Sequence, residues 1–472
     1  MKQPSLALLA VATACSSSVS VDEHIANIEK ALIPALVIRG EPVSTTTLSE
    51  RMEQLNVPGV SVAVINNGEI EWAKGYGFAD KERNIRVTTE TMFQAASISK
   101  PVAAMAALKF VEEGRLDLDE NVNEKLTTWH IPDNEFTTGH KVTLRGLVNH
   151  SAGTTVWGFP GYERGETVPS TVGVLDGEGN TDPIRVWKEP GDSWRYSGGG
   201  YTVMQLMMSD VAGKTFPQLM SETVLGPLGM TNSTYEQPLP ESRQAQAATA
   251  YRGDGSKWDG DWHIYPEMAA AGLWTTPTDL AKYGIEVQRA YVGEGRVLSQ
   301  DMTRQMLQPG MNNHGLGPSI SGDGKRFGHG GSNAGFRCQL TAFIEGGRGV
   351  LVMTNSDAGG RLAQELLITI FEEYDWDGIA PDEKVVVTLE PAQYEALVGR
   401  YRLEGDEVVE ISYVDGKLVA TLPDTSQTLE LLAESDTEFF VRTDGRPVRF
   451  VRENGRVTEV MVGGGLRGRK ID

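Results

Sequence analysis

Apolar runs of β type occur in two distant parts of the chain, with helical spacing between them. Val57 to Asp80 (VPGVSVAVINNGEIEWAKGYGFAD) reads as two strands around Asn66-Asn67-Gly68, because asparagine and glycine tolerate the positive φ of a tight hairpin. Gly335 to Asp357 (GFRCQLTAFIEGGRGVLVMTNSD) repeats the pattern around Glu345-Gly346-Gly347. Gly359 to Tyr374 then places Leu362, Leu366, Leu367, Ile370 and Phe371 at helical intervals. The early and late hairpins are expected to share one sheet. The region between them, rich in Gly, Pro and Trp loops, shows helical periods near Lys100 to Glu113, Tyr201 to Ala212, Phe216 to Val224 and Thr278 to Ala290. The fold class expected is α/β of the α+β kind: an antiparallel sheet flanked by helices, with a helical subdomain inserted into it. A ligand site between sheet and insert suits this layout.

After Trp376 the texture changes. Residues 377–391 form a polar stretch with two prolines, expected as a linker, and from Tyr394 short strands alternate with Asp415-Gly416, Asp444-Gly445 and Asn454-Gly455 turns. Residues 392–472 therefore read as a separate small all-β module, and residues 46–376 as the main domain. The first fourteen residues, MKQPSLALLAVATA, have the outline of a secretory signal, too short for a stable membrane span. Residues 15–45 follow as a tether and leading helix.

Composition narrows the picture. The 472 residues are 40% hydrophobic and 23% charged, which is that of a folded protein, and the formal net charge of −21 disfavours nucleic acid and anionic lipid as partners. Two cysteines, Cys15 and Cys338, are present. If Cys15 is modified or removed, no intramolecular disulfide is left.

The chemistry begins at Ser97-Ile98-Ser99-Lys100, the one S-x-x-K in the chain. Taken alone it fits a helix start, with Ser97 or Ser99 capping, Pro101 in the first turn and Lys100 solvated. It also fits a nucleophile and its base. A residue three positions on shares the helix face, so the Lys100 amine can reach the Ser97 hydroxyl, and a depressed lysine pKa would let it take the proton. Two further segments have matching character. Ser193 to Gly200 (SWRYSGGG) puts Tyr196 in a glycine-rich turn before a helix, and Arg326 to Phe336 (RFGHGGSNAGF) holds the one H-x-G, His329-Gly330-Gly331, at the second hairpin. Glycines there let a substrate lie against a strand backbone.

Ser97-x-x-Lys100, Tyr196-Ser-x and His329-x-Gly331, in that order, resemble the three signature boxes of the serine β-lactamase and penicillin-binding superfamily. The set is most similar to the class C branch of AmpC-type β-lactamases, D-alanyl-D-alanine carboxypeptidases, D-aminopeptidases and family VIII carboxylesterases. Leu144 to Gly153, Pro227 to Thr231 and Ala271 to Ala281 are similar too, and the module from Tyr394 resembles a lipocalin-like domain. Cys15, after Ala12-Thr13-Ala14, resembles a lipobox cysteine, which implies an exported, periplasmic protein held to the envelope by a lipid anchor. The resemblance implies a β-lactamase/transpeptidase-like fold and an acyl-enzyme mechanism without cofactor. It makes Ser97 the nucleophile, Lys100 its proton acceptor or electrostatic partner, and Tyr196 the proton shuttle. The Ser97 and Ser332 backbone N–H groups become the oxyanion hole, and His329, Gly330 and Gly331 become substrate contacts.

Two departures bear on the substrate, expected to be a small-molecule or peptide-like acyl compound. Gly198 stands where β-lactamases of this branch have asparagine, and His329-Gly330 stands in place of lysine and threonine. Both point away from efficient β-lactam or D-Ala-D-Ala cleavage and toward an ester or amide without an obligatory carboxylate. D-amino-acid peptidase or weak β-lactamase activity is the alternative within the class, and a non-catalytic penicillin-binding-like sensor the alternative outside it. No G-x-S-x-G is present, and the seven histidines show neither H-E-x-x-H nor H-x-H, so no metal set is expected. His150 is expected to pack or hydrogen-bond. Of Trp157, Phe159, Trp262, Tyr265 and Trp274, at most two are expected to touch an acyl group.

Overall fold

The computed structural model describes residues 19–404, 407–422, 427–463 and 465–471. Cys15 and the first fourteen residues, where the signal and the lipidation site were expected, lie outside them. The chain divides into two compact units: the described residues up to Ala31 with Thr47–Ala363, and Leu32–Thr46 with the residues from Gln364 onward.

In the first unit a seven-stranded antiparallel sheet runs in the order Ile85–Arg86, Glu69–Asp80, Gly59–Asn66, Gly349–Thr354, Phe336–Phe343, Arg326–Asn333, Ser319–Ile320. The two hairpins do share it, joined where Val62 faces Val352. The first hairpin turns at Asn67 and Gly68 with φ of 53° and 75°, the left-handed pair its sequence promised. All but the last residue of Gly59–Asn66 is buried, as expected for a central strand covered on both faces.

The helical insert supplies Ser99–Glu112, Gly198–Ala212 and Pro277–Tyr291, each within a few residues of the span read from periodicity. Gly198–Ala212 starts where the Ser197 hydroxyl accepts the Gly200 N–H and stops at Gly213 with φ of 62°. Phe216–Met220 is α-helical, but Ser221–Leu225 winds into a π turn, so the single helix expected there divides. Ser99–Glu112 is buried on nearly every side, which is why its pattern carries little amphipathic signal.

The second unit is built on a closed eight-stranded antiparallel barrel from Gly399–Leu403 to Leu466–Lys470. Asp415-Gly416 and Asn454-Gly455 make its turns with φ of 51° and 77°, and 51° and 79°. Tyr401, Phe439 and Phe450 fill the interior edge to face, 5.4 to 6.0 Å between ring centres, as an eight-stranded barrel permits. Within the same unit Leu36–Ile38 pairs in parallel with Asp382–Lys384, so the polar stretch 377–391 contributes a strand.

Candidate active site

Ser97 lies in the one-turn 3₁₀ segment Ala96–Ile98 that feeds directly into helix Ser99–Glu112. Ala96, just before it, has φ of 49°, a left-handed conformation that costs a non-glycine residue about 1–3 kcal/mol. No side chain caps this helix start. The capped-helix reading fails for both serines: Ser99 is fully buried and its hydroxyl accepts the Leu273 N–H at 3.0 Å, while the half-buried Ser97 faces a cavity. Lys100 is not solvated either, being only 2% exposed.

The Lys100 Nζ stands 3.0 Å from the Ser97 Oγ and donates to the Ala270 carbonyl at 2.7 Å. It lies over the rings of Tyr196 and Tyr201, 4.9 and 5.8 Å from their centres. Among the described residues no carboxylate pairs with it, and burial alone lowers its pKa from 10.5 to about 7. A neutral amine in this place has an N–H for Ala270 and a lone pair for the serine proton. Burial pushes the Tyr196 phenol in the opposite sense, well above its ordinary value, although a hydrogen bond with Ser97 partly offsets this. Tyr196 is therefore a protonated donor at neutral pH, and of the two groups beside Ser97 the lysine is the one able to accept a proton.

Strand Arg326–Asn333 closes the other side. A Cβ on Gly331 would stand 2.2 Å from the Ala95 carbonyl oxygen, so only glycine lets this strand run against the turn that carries Ser97. Gly330 and Ser332 are exposed toward the cavity, and His329 lines it. The His329 Nδ1 makes a 2.6 Å hydrogen bond with the Gly330 carbonyl, and burial with the nearby Lys100 charge lowers its pKa to about 3. It offers no permanent cation.

The cavity is about 550 Å³ and draws in Ser97, Lys100, Tyr196, His329, Gly330, Gly331 and Ser332. The seven residues expected in the site all line it, together with others not expected there, among them Trp194 and Asn333 inside the segments Ser193 to Gly200 and Arg326 to Phe336, and Arg337 and Gln339 just beyond the second. Of the five aromatic candidates Trp157 and Phe159 line it, whereas Trp262, Tyr265 and Trp274 are buried in the core. Trp157 is 67% exposed, the most of any large hydrophobic side chain described. Arg337 is held by Asp357 at 3.0 Å and by the Asn333 and Phe336 carbonyls. Among the described residues no carboxylate lines the cavity. A larger cleft of about 1010 Å³, between Glu29, Met52, Tyr76 and Phe78, is lined by Ser49 and Lys81, but no hydrogen bond joins these two as one joins Lys100 to Ser97, so chemistry and not size selects the site.

Gly198 has a local cause. A Cβ there would approach the Phe159 ring at 2.8 Å and the Trp157 carbonyl at 3.2 Å, so the aromatic wall occupies the space an asparagine side chain would need. His150 does hydrogen-bond, accepting the Ser197 N–H at Nδ1 (3.1 Å), and its ring centre lies 4.3 Å from that of Tyr196. His314 joins it at 4.7 Å, an association nothing in Asn313-His314-Gly315 announces. Among the described residues no group of three His, Cys, Asp or Glu has the arrangement of a metal site.

A mixed α/β domain with an antiparallel sheet, a serine and lysine on a buried helix start and a tyrosine facing them defines the class of penicillin-recognising folds. The chain belongs to the beta-lactamase family: that family's model matches residues 45–374, and a model described as a domain of unknown function (DUF3471) matches residues 383–464. PbpX of Bacillus subtilis, which bears the name of a penicillin-binding protein, is 25% identical over 337 residues, 67% of this chain and 75% of its own. Protein flp of Staphylococcus aureus is 24% identical over 244 residues, and the match spans 44% of its length and 49% of this chain. Among solved structures, the octameric penicillin-binding protein homologue from Pyrococcus abyssi superposes with a TM-score of 0.58 at 22% identity, covering 89% of this chain and 98% of its own. D-amino acid amidase from Ochrobactrum anthropi gives 0.57 at 22% (70% and 96%), and EstCE1, a hydrolase with promiscuous acyltransferase activity, 0.58 at 21% (69% and 96%). At such identities these structures establish the shared fold.

Proposed function

We propose that the protein is a serine hydrolase that forms an acyl-enzyme at Ser97 on an uncharged carboxylic ester or amide. The observation that carries this reading is the Lys100 Nζ, buried without a counter-ion, 3.0 Å from the Ser97 Oγ. Lys100 takes the serine proton as Oγ attacks the substrate carbonyl. The negative charge that develops on the carbonyl oxygen is received by the N–H groups of Ser97 and Ser332, worth about 3 kcal/mol each to the transition state. Tyr196, kept protonated by burial, gives its proton to the leaving group and is recharged by way of Lys100. Water then repeats the sequence on the acyl-enzyme.

The cavity supports an uncharged substrate. An ammonium group would need a carboxylate, and none lines the wall; a substrate carboxylate would need a cation, and Arg337 is already paired while His329 is neutral. Trp157 and Phe159 offer apolar surface instead. The likeness in fold to a D-amino acid amidase keeps amides in the proposal. Attachment to the bacterial envelope through Cys15 is a separate part of it, and labelled palmitate incorporated by the parent chain and not by Cys15→Ser tests that part.

A fluorophosphonate probe is expected to label the parent protein and leave Ser97→Ala unmarked. Short-chain p-nitrophenyl esters are expected to turn over well ahead of nitrocefin and D-alanine p-nitroanilide. The absence of both labelling and any acyl adduct by mass spectrometry would favour a non-catalytic binding protein, and nitrocefin outpacing the esters would overturn the ester preference.

A further inference from the structure

Behind Tyr196 the fold gathers His150, Trp194 and His314, and the reaction just described uses none of them. His150 has φ of 64°, a strained conformation of the kind that collects at functional sites. Its Nδ1 accepts the Ser197 N–H. A backbone N–H can only donate, so Nδ1 carries no hydrogen and the neutral ring bears its proton on Nε2. That Nε2 is buried and has no hydrogen-bond partner in the protein. His314 also bonds a backbone group, at Gly317, and its Nε2 is again buried and without a partner; in the tautomer that carries its proton on Nδ1, that Nε2 presents a lone pair. The indole N–H of Trp194 is a third such atom.

The three rings lie close together: His150 to His314 is 4.7 Å between centres, His150 to Trp194 6.0 Å and His314 to Trp194 5.9 Å. Buried polar groups are bonded in the great majority of cases, so three unmet ones in one place mark a missing partner. His150 Nε2 and the Trp194 indole are donors, and His314 Nε2 can accept in its Nδ1-protonated tautomer. A metal ion would need lone pairs where His150 and Trp194 present hydrogens, whereas a water molecule accepts two bonds and donates the third.

We propose that His150, Trp194 and His314 hold one buried water among them, and that this water-linked trio is a positioning element fixing the Tyr196 phenol against Ser97. His150 is the link, since it is pinned to Ser197, next in the chain, and packs its ring on Tyr196. The trio acts through Tyr196: Trp194 also lines the cavity, whereas His150 and His314 do not. The role in turnover rests on the hydrolase reading; the water does not.

Two measurements test it. A crystal structure of the full chain is expected to show one water within about 3.2 Å of the three nitrogens. With p-nitrophenyl butyrate, His314→Leu, which removes the acceptor, is expected to lower kcat about tenfold or more with KM within about twofold, as for a misplaced catalytic group. His314→Gln, which again offers an acceptor, should recover most of the loss. The proposal falls if well-ordered density leaves the site without water, if the leucine variant keeps kcat within about twofold, if the loss lies in KM, or if glutamine does no better than leucine. A parent protein that turns over no ester would overturn the hydrolase reading and with it the positioning role, while the density still decides the water.

Discussion

The pKa of Lys100 makes the most exacting prediction. Only the neutral amine can take the Ser97 proton, and burial sets its midpoint at about 7. At pH 7 half of the molecules then carry a competent base, against about one in 2,500 for a lysine at its ordinary value near 10.4. Burial is thus worth about 10³ in active fraction. Below the midpoint kcat/KM should fall tenfold per pH unit, to about a tenth of its plateau at pH 6, and above pH 8 it should be flat. The neighbouring histidines do not blur the limb, because His314 titrates at about 4 and His329 at about 3. Nor does Tyr196, which burial pushes upward. The assay is ester hydrolysis from pH 5 to 9 at constant ionic strength, with Lys100→Arg as the control that cannot deprotonate and should be inactive throughout. A profile with no inflection between pH 6 and 8, or one still rising past pH 9, would refute the assignment of Lys100 as the base. Stability supplies an independent reading. Between pH 7 and about 10.4 the unfolded chain binds a proton at Lys100 that the folded chain does not, so this group's penalty is full below pH 7 and relieved as pH rises. Lys100→Met should therefore raise the melting temperature at pH 7 while abolishing turnover.

Further outcomes follow from other residues. Tyr196→Phe keeps the ring but loses the donor, and turnover should fall 10²-fold or more with the melting temperature nearly unchanged; a loss under about tenfold would remove Tyr196 from proton transfer. Gly198→Asn restores the residue that β-lactamases carry there, yet its Cβ meets Phe159 at 2.8 Å, so it should cost about 1–3 kcal/mol in denaturant unfolding and confer no nitrocefin activity. The Glu267 carboxyl is fully buried with no partner beyond its own backbone N–H, and burial raises its pKa to about 8. The folded chain holds that proton between about pH 4.3 and 8 while the unfolded chain has lost it, so the stability it gives is complete below pH 4.3 and gone above pH 8. Glu267→Gln should accordingly melt higher than the parent at pH 8 and no higher at pH 4.

Much of this molecule is legible along the chain because its signals are local. Asn67-Gly68 makes a hairpin from two residues, Asn454-Gly455 does the same in the barrel, and Ser97 and Lys100 share a helix face through a spacing of three. The resemblance of three short boxes supplied their order and roles. What the chain could not display was environment. The distinction between a solvated lysine and a base of pKa about 7 lies in what surrounds the amine: Ala270, Tyr196 and Tyr201 come from segments about 100 to 170 positions away. Gly198 and Gly331 look like ordinary loop and strand glycines until Phe159 and the Ala95 carbonyl are brought against them. His150, His314 and His329 read as scattered because imidazoles converge only when the sheet and the insert close on each other. Sequence by itself determined which groups could react. Tertiary structure decided which are ionised, which are already paired, and what size and charge of acyl group they can meet, since desolvation and exclusion depend on neighbours that only folding supplies.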